Sequence, residues 1–332
     1  MKKIKIICTM GPSSLNKKVI KKFFQLNVDL FRLNMSHIEI KDLQKNINFL
    51  KNNGIKNICI DTEGAQIRTS KTQKKYLKKN QVFKIYNVKN KNIKKGIYLT
   101  PKFDLTKVKI GSAIKIGFDN LEFKIKKVNK NFITAFVINP GFIDSNKGVH
   151  FQDNINLPPI SDKDRLAVEI AKRNNIKIFA LSFCNNKDDL NEFKKILNKK
   201  SFIISKIETK NGFLNRKEIT KKSDAILIDR GDLSRYIKIE KIPVAQNQII
   251  LTAKKNKTPV YVATNLLESM INNYEPTRAE SNDIYSSLKD GCSGLVLAAE
   301  TAIGKNPVLT VKFLNECIKV FKKNLKNKLK LF

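Results

Sequence analysis

Eight runs, residues 4–9, 28–33, 55–62, 177–183, 202–208, 225–231, 259–265 and 294–300, are nearly continuous in apolar and β-branched side chains. A strand reads this way when both its faces are buried, as in a parallel sheet covered by helices. Stretches of helical period follow them, among them 38–53, 162–174 and 306–325. The chain is therefore expected to be an α/β protein in which eight strand–helix units close into a (β/α)8 TIM barrel.

The third unit breaks the rhythm. After Thr62 the next helical stretch begins only near Ser161. Short alternating runs at 82–86, 113–117 and 132–138 lie between and read as strands. A structureless connection of that length is uncommon in a compact domain. The expected organisation is a barrel begun over 1–69, a small inserted all-β lid domain, itself barrel-like, over 70–151, and the barrel completed over 152–332.

Composition narrows the function classes. No apolar run approaches the ~20 residues of a membrane helix, and the N-terminal apolar patch is broken by Lys5, unlike a secretory leader. Five widely spaced cysteines, Cys8, Cys59, Cys184, Cys292 and Cys317, form no metal or redox motif. A cytoplasmic location and no membrane partner are expected. The formal net charge of +36 would suit a nucleic-acid binder, but only eight of the 65 basic residues are arginine, and the lysines are scattered through every segment. Base-reading surfaces lean on arginine, so solvated lysines are expected and no specific nucleic-acid partner.

A β/α barrel builds its chemistry at the C-terminal ends of its strands. Those ends carry Thr9, Arg32, Asn34, Asp61, Thr62, Lys206, Glu208, Arg230, Gly231, Asp232, Thr264, Glu300 and Thr301. Packing alone asks for no charge there. Carboxylates and cations sharing one rim point to a divalent metal and an anionic, phosphorylated substrate.

Eight motifs on that rim resemble the pyruvate kinase family, in the family's order: Thr9-Met-Gly-Pro-Ser-Ser14, Arg32-Leu-Asn-Met-Ser-His37, Asp61-Thr-Glu-Gly-Ala-Gln-Ile-Arg-Thr69, Ile204-Ser-Lys-Ile-Glu208, Arg230-Gly-Asp-Leu233, Ala263-Thr-Asn-Leu-Leu-Glu-Ser-Met270, Pro276-Thr-Arg-Ala-Glu280 and Glu300-Thr-Ala302. The resemblance implies transfer of the phosphoryl group of phosphoenolpyruvate to ADP, giving pyruvate and ATP in glycolysis. It places Arg32 and Lys206 beside the phosphoryl group and Thr264 near the carbon that receives a proton. Amides of Gly231 and Asp232 would take the substrate carboxylate. Glu208 and Asp232 would hold Mg²⁺. Asn34, Ser36, Asp61 and Thr62 would form a K⁺ site. Asn34, His37, Arg68 and Lys147 would face the nucleotide, with Asp119 a weaker match, and the lid would close over it.

The chain also departs from the family's pattern. The family continues into a C-terminal regulatory domain, and this chain stops at Phe332. A shortened, unregulated enzyme is expected; a homo-oligomer is open, and the family's usual tetramer, which relies on that domain, is in doubt. Gln66 stands where the family distinguishes K⁺-dependent from K⁺-independent members by charge, so a neutral side chain leaves K⁺ dependence open. Asp229 stands where a small residue is usual. A carboxylate 4 Å from a substrate carboxylate would cost roughly 4 kcal/mol at an effective dielectric of 20, so Asp229 is expected to point away or to pair with a lysine. The alternative function is a degenerate, non-catalytic protein that binds phosphoenolpyruvate or nucleotide.

Overall fold

The computed structural model describes residues 3–87, 96–117, 121–153 and 155–327. Asp119 and residues 328–332 lie outside them. Two compact units are present, one made of Met1–Gly64 and Pro159–Phe332, the other of Ala65–Pro158.

The first unit is a closed, all-parallel barrel of eight strands. These are β1 (Lys5–Thr9), β2 (Leu30–Asn34), β3 (Ile58–Asp61), β4 (Ile178–Leu181), β5 (Phe202–Ile207), β6 (Ala225–Asp229), β7 (Val260–Ala263) and β8 (Gly294–Leu297), each hydrogen-bonded to its neighbours in chain order, with β8 closing on β1. Helices alternate with them, such as Ile40–Asn52 after β2, Ile242–Lys255 after β6 and Pro307–Asn324 after β8.

Strand period explains the two-layered core. Ile7, Leu30, Cys59, Ala180, Ile204, Leu227, Tyr261 and Val296 fill the barrel interior. Their neighbours one residue on or back, including Ile6, Phe31, Ile58, Phe179, Ile203 and Ile226, pack outward under the helices. Successive side chains on a strand face opposite ways. Two residues beyond the interior layer, the inward positions are therefore Thr9, Arg32, Asp61, Lys206 and Asp229. The same alternation that fills the core delivers charged side chains to the C-terminal rim.

Helix starts are marked in the sequence. Ser161 and Asp164 form a reciprocal capping box on Asp162–Arg173, and Thr277 and Glu280 form another on Arg278–Asp290. Proline at the first turn opens Pro307–Asn324. No described helix is long and apolar enough to cross a membrane.

The second unit is a small closed barrel of seven strands with a separate pair, Lys75–Leu77 and Gly141–Ile143. Leu99, Ile114, Phe123, Ile125, Ile133, Ala135 and Val137 fill it. Its sheet takes in Ile67–Thr69, which pairs with Ile97–Thr100 and with Gly148–Phe151. The sequence reading placed 67–69 in the first barrel segment. Three residues are too short a run for hydrophobic period to assign them.

Candidate active site

Lys206 lies at the centre of the rim. Its Nζ is 3.1 Å from Glu208 Oε2, 3.4 Å from Asp229 Oδ2 and 3.7 Å from Asp61 Oδ2. It also donates to Ser182 Oγ at 3.1 Å. All but 5% of Lys206 is covered. Burial alone would push its ammonium toward neutrality; Asp61, Glu208 and Asp229 outweigh that and hold its pKa well above the ordinary lysine value. Asp229 thus pairs with a lysine, as expected, and that lysine is Lys206.

Arg32 lies against the same group, its Nε 2.9 Å from Asp61 Oδ2. The β2–β3 register sets Asn34 beside Asp61 and Arg32 beside Cys59. Arg32 Nη1 is buried and finds no acceptor among the described residues. A buried guanidinium N–H left without a partner is rare in native proteins, and an anion at this point would satisfy it.

Glu208 is fully buried. Its Oε1 accepts from the amide of Phe183 at 2.6 Å, while Oε2 accepts no hydrogen bond. Burial pushes its carboxyl up to about 8; Lys206 opposes that rise, and Asp229 and Asp232 add to it. Oxygens of Glu208, Asp229 and Asp232 all come within 4.8 Å of one another. An oxygen set of this kind suits a hard divalent cation.

Thr264 follows β7 with a φ of +68°, and Asn265 follows at +54°. A β-branched residue in the left-handed region is a true outlier, strained by about 1–3 kcal/mol. Thr264 Oγ1 accepts from the amide of Gly231 at 2.9 Å, and Arg230 donates to the Thr264 carbonyl through Nη2 at 2.5 Å. The Arg230-Gly-Asp turn and the turn after β7 are thereby one unit.

The remaining residues fall into three groups. Asn34 Oδ1 accepts from the Ser36 amide at 3.0 Å, Thr62 Oγ1 from the Ser182 amide at 2.9 Å, and Asp61 Oδ1 from the Ser182 hydroxyl at 3.2 Å. These oxygens cluster at the ends of β2 to β4, while His37 is exposed on the loop after β2. Glu300 and Thr301 lock the barrel seam. Glu300 accepts from the amides of Leu267 and Ala298, and Thr301 Oγ1 donates to the Thr9 carbonyl at 2.9 Å. Arg68 and Lys147 belong to the inserted unit. There Arg68 Nη1 donates to the Asn146 carbonyl at 3.2 Å, and Gln66 packs over Gly148.

Two residues at this site escape a reading by motif. Ser182, just past β4, lies between Lys206, Asp61 and the Thr62 carbonyl, the last at 2.7 Å. A lone serine after an apolar run reads as an ordinary turn. Asp164 accepts from the amides of Glu63 and Gly64 at 2.8 and 3.0 Å, holding the loop after β3 onto a helix a hundred residues away.

A parallel barrel whose C-terminal rim gathers two buried cations and several buried carboxylates has the form of an enzyme's charged active site. The comparisons with known proteins agree and are more specific. The family description "Pyruvate kinase, barrel domain" matches residues 1–311. The pyruvate kinase of Thermotoga maritima is 34% identical over 340 residues, covering 98% of this chain and 72% of that protein. The pyruvate kinase of Methanocaldococcus jannaschii is 36% identical, covering 96% and 70%. A crystal structure of a pyruvate kinase from Cryptosporidium parvum superimposes with a TM-score of 0.84 at 31% identity, over 95% of this chain and 68% of that one. The chain belongs to the pyruvate kinase family and is an enzyme of the transferase class.

Proposed function

We propose that this rim transfers the phosphoryl group of phosphoenolpyruvate to ADP and that Arg32 and Lys206 hold the group in flight. The observation that carries this reading is the buried Arg32 Nη1 with no acceptor, beside a buried, fully charged Lys206. In phosphoryl transfer, charge spreads over the equatorial oxygens, and catalysis is chiefly positioning and electrostatic stabilisation. Two cations fixed by Asp61 supply both.

Glu208 and Asp232 would hold Mg²⁺, and Glu208 Oε2, buried without a hydrogen bond, fits a metal ligand. The cation would supply charge neutralisation at the phosphoryl and enolate oxygens. The Thr264 side chain and the turn at Gly231 and Asp232 would orient the substrate carboxylate and the carbon that takes up the proton. Asn34, Ser36, Asp61 and Thr62 offer oxygens that suit a K⁺ ion. Arg68 and Lys147 would bind the nucleotide phosphates on the inserted domain, which would act as a lid that excludes water.

The test is pyruvate formation from phosphoenolpyruvate, ADP and Mg²⁺, measured with K⁺ and with Na⁺ alone, beside Lys206→Met. Turnover that disappears in the variant supports the reading. Turnover undiminished in a folded Lys206→Met protein, or absent from the folded native chain under either cation, overturns it.

A further inference from the structure

We propose that Asp229 is a third carboxylate ligand of the divalent-cation site, so that this chain binds its cation before any anionic substrate arrives. The proposal rests on the placement of the cation at Glu208 and Asp232 given above.

Strand period turns Asp229 inward, two residues beyond Leu227 of the interior layer. It is 5% exposed. The oxygens it shares with Glu208 and Asp232 lie within 4.8 Å of one another. Two oxygens on one Mg²⁺ at ~2.1 Å are at most about 4.2 Å apart. Adjacent oxygens on such an ion lie about 3.0 Å apart, so closing the set draws oxygens together by up to about 1.8 Å, within reach of side-chain rotation.

Pairing with Lys206 does not by itself account for Asp229. The single Lys206 ammonium already lies 3.1 Å from Glu208 and 3.7 Å from Asp61, and it donates to Ser182. With every group ionised, Arg32, Lys206, Asp61, Glu208, Asp229 and Asp232 carry two more negative than positive charges. Meanwhile Glu208 Oε2 stays buried without a hydrogen bond. A divalent cation against Glu208, Asp229 and Asp232 cancels that surplus. It also leaves Lys206 for the anionic substrate. Affinity of oxygen sites for hard cations rises with the number of ligand charges.

The experiment is a titration of substrate-free protein with Mn²⁺, bound ion being read from the loss of the free-ion electron paramagnetic resonance signal. The proteins are native, Asp229→Asn, Asp229→Ser, Glu208→Gln, Lys206→Met and Lys206→Met/Asp229→Asn. Asparagine keeps the volume of Asp229, and serine provides a second charge-removing variant should the first fold poorly. The expected result is Mn²⁺ affinity at least tenfold weaker in Asp229→Asn or Asp229→Ser and weaker still in Glu208→Gln. The Asp229→Asn loss persists when Lys206 is already methionine. A change under twofold on removing Asp229, with Glu208→Gln still damaging, overturns the proposal and leaves the site reading standing. A loss that vanishes in the Lys206→Met background also overturns it, since Asp229 would then act only through Lys206. Unchanged binding in Glu208→Gln overturns both.

Discussion

Arg230 holds the Thr264 carbonyl through Nη2 at 2.5 Å while its Nη1 lies 2.8 and 2.7 Å from the two oxygens of Asp283. The guanidinium thus ties a strained turn, with Thr264 at φ +68°, to the helix Arg278–Asp290. On the proposed reading Arg230 would act as a positioning residue, through Thr264. Replacing it with alanine frees the turn to relax, and a misplacement near 1 Å at a reacting centre can cost ~10²-fold. Arg230→Ala is expected to lower kcat about 10–100-fold. Arg230→Lys is expected to recover little, because a single ammonium cannot reach both the carbonyl and the carboxylate in the planar fork. Steady-state kinetics check this; a kcat within twofold of native in Arg230→Ala would show that the turn holds itself.

Lys206→Met should lose ~10²–10³-fold or more in turnover, the scale of removing one preorganised electrostatic stabiliser. It should also reveal what Lys206 does for stability. Methionine leaves Asp61, Glu208 and Asp229 buried without their shared cation. Uncompensated buried charge is destabilising by about 3–5 kcal/mol. The melting temperature of the variant should fall in chelator and recover part of the loss when Mg²⁺ is added. A variant that melts with the native protein in chelator would contradict the compact charge cluster.

The metal-free chain should also show a pH signature from Glu208. Burial raises its carboxyl from the ordinary value of 4.5 to about 8. A carboxyl with a higher pKa in the folded than in the unfolded state takes up a proton on folding. Its contribution is complete below about 4.5 and is lost as the pH rises through about 8. Glu208→Gln cannot titrate there. The stability of the native chain relative to Glu208→Gln should therefore decline between pH 5 and 9 in chelator, as followed by thermal melts. A constant difference across that range would refute the assignment.

Residues set by strand period were legible in the sequence. Arg32, Asp61 and Lys206 end their strands, so their shared rim could be read before any coordinates, whereas Asp229 was not placed on it. Asp229 was expected either to point away or to pair with a lysine, and it pairs with Lys206. What could not be read is which oxygens meet. Ser182 joins Lys206 from the neighbouring strand, Asp164 reaches back to the Glu63 and Gly64 amides, and Asp283 pairs with Arg230. Each is an ordinary polar residue in its local sequence, and only the closure of the barrel gives it a partner. The assignment of 67–69 failed for a related reason, since its pairing partners lie about thirty and eighty residues further on.

The inserted unit carries its own test. Thr69 laces one of its turns: Thr69 Oγ1 donates to the Asp144 carbonyl at 2.6 Å and accepts from the Lys147 amide at 2.8 Å. Arg68, one residue away, holds the Asn146 carbonyl of that same turn. The backbone that carries Arg68 and Lys147 is thereby laced on one small element, an arrangement suited to a polyphosphate. A hydrogen bond to a charged group contributes about 1.5–3 kcal/mol, which is roughly 10–100-fold in affinity. Arg68→Ala and Lys147→Ala should each raise the KM for ADP by about that factor and leave the KM for phosphoenolpyruvate nearly unchanged. Thr69→Val, which removes the lacing hydroxyl without touching either cation, should raise the KM for ADP by less. If both Michaelis constants rise together in Arg68→Ala, the arginine supports the fold and not the nucleotide. If neither moves in either alanine variant, the phosphates of ADP are held elsewhere.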